Sequence, residues 1–213
     1  MSDNGPRIFI SYRRSDRALA AHWVHREVAG KFGKEAVFFD VDGIPAGFDY
    51  RVFLQEKVSE CDVLLAVIGD DWLDVRDAHG ERRLDHANDF VRIEIEAALQ
   101  RNILVIPVLV ENARMPASHE LPTSLHQLAY RQAREVRSGH HLDDHFRQLN
   151  ESIERAWRIH RERAQRIPAT AARVFFPVPD HSGKPSLRRG TACDRPPAAV
   201  SETSYEQGIR SRI

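Results

Sequence analysis

The chain has 213 residues, 31 basic against 31 acidic side chains, and 42% hydrophobic residues, an ordinary balance for a globular domain. Its longest apolar run, "ILVIPVLV" at 103–110, falls far short of the roughly 20 residues that span a bilayer. No basic-then-apolar leader follows Met1, and the only cysteines are Cys61 and Cys193; a cytoplasmic protein is expected, with no membrane span, disulfide framework or cysteine zinc cluster.

In chain order, "RIFISY" (7–12) reads as a first strand. From Asp16 onward, Leu19, Trp23, Val24, Val28 and Phe32 recur at helical spacing. "AVFFD" (36–40) is a second strand, followed by the turn-rich loop "DVDGIPAGFDY" (40–50) and a helix carrying Phe53, Leu54, Lys57 and Val58. "CDVLLAVIG" (61–69) is a third strand ended by glycine. After a long polar loop comes a helix capped by Asn88 or Asp89. The run 103–110 is a fourth strand, a short fifth is expected within "AYRQAREV" (129–136), and a final helix spans Leu142–Arg166.

The third and fourth strands are continuously apolar, the mark of central strands buried on both faces. Alternating β and α elements of this kind predict an α/β fold, a parallel sheet with helices on both faces and right-handed crossovers. Ligands of such sheets collect at the carboxyl ends of the strands. The folded domain is expected over 6–163, behind an extension at 1–5. Residues 164–213 are rich in Pro, Ser and Arg without periodicity and are expected to be a disordered tail. Charge divides similarly, with 21 basic against 26 acidic residues up to position 160 and 10 against 5 beyond it. An acidic body argues against nucleic acid as the partner.

Three loops leave the strands at that carboxyl edge. The first, Ser11-Tyr12-Arg13-Arg14, carries two guanidinium groups suited to phosphate oxygens. No G-x-G-x-x-G or Walker A sequence is present, which excludes the common dinucleotide and P-loop designs. The second loop holds Asp40, Asp42, Gly43, Ile44, Pro45, Gly47 and Phe48, so its turns are shaped. Its acid spacing does not match an EF-hand. A response-regulator pocket would need acids after the first strand, where arginines stand. In the third loop Trp72 is either a lid over a pocket or a packing anchor. "HHLDDH" (140–145) resembles a metal cluster but reads better as the start of the last helix. No metal site is expected.

One carboxylate stands out. In "DFVRIEIEAALQ" (89–100) the residues three and four positions from Glu94 are Phe90, Val91, Ala97 and Ala98, all apolar. Glu96 has Arg92 one turn before it, an ordinary solvated pairing. Glu94 and Phe90 share one helical flank.

"RIFISYRRSD", "VFFDVDGIPAGFDY", "CDVLLAVIGDDW", "DFVRIEIEAALQRNILVIPVLV" and "RQAREV" occur in the order of a bacterial Toll/interleukin-1 receptor (TIR) domain, and the chain resembles that family over about 6–160. The resemblance implies a flavodoxin-like sheet of five parallel strands. In NAD-cleaving members it implies breakage of the nicotinamide–ribose bond, with NAD as substrate and no separate cofactor. Matched by motif, Glu94 falls on the catalytic glutamate and Phe90 on an aromatic position beside the nicotinamide, where relatives commonly carry tryptophan. Tyr12, Arg13, Arg14, Asp40 and Trp72 fall on the substrate side. The loop with Asp42, Gly43, Ile44, Pro45, Gly47 and Phe48 falls on the loop that mediates TIR–TIR self-association. A separate sensor or effector protein is the further partner implied. The competing readings are a non-catalytic TIR scaffold, a host-directed effector and a nucleoside deoxyribosyltransferase; the last is disfavoured by "FISYRR" and "GDDW".

Overall fold

The computed structural model describes residues 5–39 and 47–166. Asp40, Asp42, Gly43, Ile44 and Pro45, and the tail beyond 166, lie outside the described residues. Five strands form one parallel sheet: β1 (Ile8–Ser11), β2 (Val37–Phe39), β3 (Val63–Ile68), β4 (Leu104–Val110) and β5 (Arg134–Val136), in the order β2-β1-β3-β4-β5. The α/β fold expected from the sequence is therefore present.

Every residue of β1 and β3 is buried, as are six of the seven in β4, and these are the three inner strands. The three-residue strands β2 and β5 take the edges. Pleating sends Leu64, Ala66 and Ile68 into one core layer and Val63, Leu65 and Val67 into the other. The first layer also holds helices α2 (Tyr50–Ser59) and α3 (Phe90–Gln100); the second holds α1 (Ala18–Phe32) and α4 (Leu142–Arg166). The α1 crossover runs toward β2, whereas those through α2 and α3 run the other way. One hand of crossover then requires opposite faces. Burying each Leu, Ile or Val side chain contributes about 1.5–3 kcal/mol.

The start of the first helix differs from expectation for a visible reason. α1 begins at Ala18, because Asp16 is buried against the β3 exit and Arg17 takes φ 54°. The short fifth strand expected within "AYRQAREV" is present at its end, Arg134–Val136 against Val108–Val110, after Thr123–Tyr130 winds as a 3₁₀ helix. Leu104, Val105, Ile106 and Pro107 pair with β3 on one side only, among the described residues. α4 runs over Leu142–Arg166, as the sequence reading of the final helix expected. The 140–145 histidines do open that helix, with Asp143 and Asp144 in its first turn, where the helix dipole favours acids.

Candidate active site

The sheet order reverses between β1 and β3, where α/β sheets form their ligand crevice. α3 starts at this carboxyl edge. Its N-cap is Asp89, whose extended backbone and carboxylate close the first turn by accepting from the Arg92 amide at 3.0 Å. Both Asp89 oxygens also accept from Arg13, at 2.8 and 3.0 Å. The two side chains are only 2% and 1% exposed. Arg83 adds a second positive charge 3.6 Å from Asp89.

One turn into α3, Glu94 is 4% exposed. Phe90, four residues earlier, is 40% exposed. Its ring leans on Tyr50 at 4.6 Å and 58°, and the Tyr50 hydroxyl donates to the Asn88 carbonyl at 3.4 Å. The α2 start thus supports the aromatic residue beside the buried carboxylate. Glu96 points away from this flank, accepting from Arg92 Nε at 2.6 Å and from Ser124.

Across the crevice, Asp16 accepts from the Gly69 amide at 3.0 Å and the Asp71 amide at 3.3 Å. Burial holds its carboxyl above the usual range, opposed by those two backbone bonds. Arg17 pairs with Asp70 beside it. The loops after β1 and β3 are therefore tied together at two adjoining points.

The predicted site residues separate into groups. Glu94 and Phe90 lie together, as helical spacing requires. Tyr12 stacks on Phe39 at 4.9 Å and 12°, and His25 stacks on Phe39 at 4.4 Å and 9°; Phe39 is held between them. Burial lowers the His25 pKa, with His22 and Lys34 adding to the effect. Arg14 is exposed, whereas Arg13, expected to hold substrate, is buried and turned onto Asp89. Trp72 is 1% exposed within the α2–α3 core layer, which makes it the packing anchor rather than the lid. Gly47 takes φ 91° and Phe48 is 66% exposed. Asp40 and the loop residues 42–45 lie outside the described residues.

The chain matches the family model of the TIR domain over residues 8–150. It belongs to the TIR domain family. A search of curated proteins gives no match. A solved structure of a conserved protein from Enterococcus faecalis V583 is similar at 14% identity and a TM-score of 0.42, over 71% of this chain and 99% of that one.

The sequence reading offered Asp89 only as a helix cap and did not single out Asp16 or Tyr50 for this candidate site. Asp16 and Asp89 act through partners 53 and 76 positions away, a separation that leaves no local signal. Among the described residues, Asp77, Glu81 and His86 could together hold a metal ion. Their ligand atoms lie at the surface, with His86 Nε2 3.5 Å from each carboxylate, the arrangement of an ordinary exposed ion pair once the ring is protonated. No helix among the described residues is long and apolar enough to cross a membrane.

Proposed function

We propose that this TIR domain is an NAD glycohydrolase with Glu94 as its catalytic carboxylate. The observation that carries the reading is a glutamate 4% exposed on α3, one turn from a half-exposed aromatic ring, at the carboxyl edge of the sheet. Breaking the bond from a pyridinium nitrogen to ribose releases neutral nicotinamide, so the leaving group needs no general acid. The charge to be stabilised lies on an oxocarbenium-like sugar. A carboxylate beside the ribose does this electrostatically, and apolar walls that exclude water strengthen its field. Phe90 offers a ring face to the nicotinamide, and Tyr12 and Arg14 stand at the β1 exit on the dinucleotide side. The products are nicotinamide with ADP-ribose or a cyclic isomer. The biological setting that fits is bacterial immune (anti-phage) signalling switched on by self-association, with a separate sensor as trigger.

The test is nicotinamide release from NAD by concentrated protein and by Glu94→Gln. Release by the first and loss in the second is the expected result. An inactive wild type at high concentration, or an equally active variant, overturns the reading.

A second reading, a TIR–TIR scaffold without catalysis, draws on Phe48 and Val52, 66% and 52% exposed at the start of α2. The near-complete burial of Glu94 one turn from the half-exposed Phe90 ring, at the carboxyl edge of the sheet, favours the enzyme.

A further inference from the structure

We infer that Arg13 is a positioning residue, which sets the catalytic helix α3 through its paired contact with the Asp89 cap and does not bind the substrate phosphates. The inference rests on the reading of Glu94 as the catalytic carboxylate.

The geometry supplies the argument. Arg13 offers both terminal nitrogens to Asp89, at 2.8 and 3.0 Å, and both side chains are almost wholly buried. Its Nε has no hydrogen-bond partner among the described residues. Removing two such charges from water costs several kcal/mol per ion, and an apolar pair of the same size is often at least as stable. What the pair supplies that an apolar contact does not is direction, since a planar fork on a carboxylate fixes both groups in orientation.

That direction reaches the reacting group through two rigid connections. Arg13 lies two residues beyond β1, whose Ser11 is paired with Ala66 of β3 in the centre of the sheet. Asp89 Oδ1 accepts from Arg13 and from the Arg92 amide together. The atom that caps α3 is therefore also an atom the fork holds. Glu94 follows the cap by five residues, about 7.5 Å along a helix. A tilt or rotation of the first turn moves its carboxylate by a comparable fraction of that distance, and displacements near 1 Å cost about a hundredfold in rate.

Two variants separate positioning from substrate binding. Arg13→Lys keeps the charge but has no fork. The double variant Arg13→Met with Asp89→Asn removes both charges, retains a side chain suited to the N-cap, and leaves no unpaired buried ion. Ile153→Val, a mild trim on the α4 side of the sheet, controls for general destabilisation. The measurements are kcat and KM for NAD, with amide hydrogen exchange along α3. The expected result is a kcat lower by about tenfold to a hundredfold in both Arg13 variants. KM stays within about threefold, because the lost contact aligns the transition state rather than the bound substrate. Exchange at the Arg92 amide becomes faster, while Ile153→Val leaves all three unchanged. A raised KM with unchanged kcat would assign Arg13 to the substrate instead and overturn the inference. So would wild-type kcat with unaltered exchange. If the wild type releases no nicotinamide, the glycohydrolase reading fails. Unaltered exchange at Arg92 then removes the positioning of α3 as well, whereas faster exchange retains it.

Discussion

The carboxylate of Asp16 stands where a side chain on Gly69 would have to go. A methyl group on Gly69 would meet the Asp16 carboxyl carbon at 2.6 Å, well inside contact distance. The carboxylate cannot simply swing aside, because it accepts the Gly69 and Asp71 amides. Gly69→Ala is expected to lower stability by about 1–3 kcal/mol, measured by urea unfolding. Unchanged stability would mean that the Asp16 contact is slack.

The same carboxyl gives a pH dependence with a definite sign. Burial raises its folded pKa above the ordinary value of 3.8. Between 3.8 and the raised value, the folded state binds more protons than the unfolded one. Stability therefore falls as pH rises through that window and is greatest below it. Relative to Asp16→Asn, the wild type should lose unfolding free energy as pH is raised from 3.8, then run parallel. Urea titrations at stepped pH would show a flat difference if Asp16 titrated alike in both states.

Phe90 contributes one ring contact to the bound nicotinamide in the proposed reaction. Contacts of this kind are worth about 0.5–1.5 kcal/mol. Phe90→Ala should lower kcat/KM by about twofold to tenfold, with Phe90→Trp at or above wild type. An unaffected Phe90→Ala would remove the ring from the site.

Trp72 is an anchor of the core layer beneath α3. Trp72→Ala should cost about 3–5 kcal/mol. Trp72→Phe should cost less, since the Trp72 Nε1 has no hydrogen-bond partner among the described residues to lose. KM for NAD should be unchanged in Trp72→Phe; a large rise would restore the lid.

Phe48 and Val52, at the start of α2, expose apolar surface. Phe48→Ser with Val52→Ser should weaken self-association in sedimentation at high concentration, with the unfolding midpoint unchanged. An identical sedimentation profile would place the contact elsewhere.

What the sequence revealed and what it hid follow from the range of each interaction. The apolar runs of β3 and β4 disclosed the central sheet, because burial on both faces leaves no polar position. Phe90, Glu94 and the Arg92–Glu96 pair were visible because helical spacing is local. The engagement of Arg13 was not, since its partner stands 76 residues along the chain, and two adjacent arginines look alike in sequence. Trp72 sits among polar residues in sequence yet beneath α3 in space. Only the tertiary fold decides between those environments.

Pro107 lies where β4 has β3 on one side and no strand on the other, among the described residues. A proline inside a ladder is tolerated where its nitrogen faces an open edge. The most apolar segment of the chain therefore has backbone on one side that is not paired with another strand, among the described residues. Its own proline deprives an incoming strand of one hydrogen bond there. Replacing it with valine would restore a backbone donor at that position and remove one obstacle to edge-to-edge pairing.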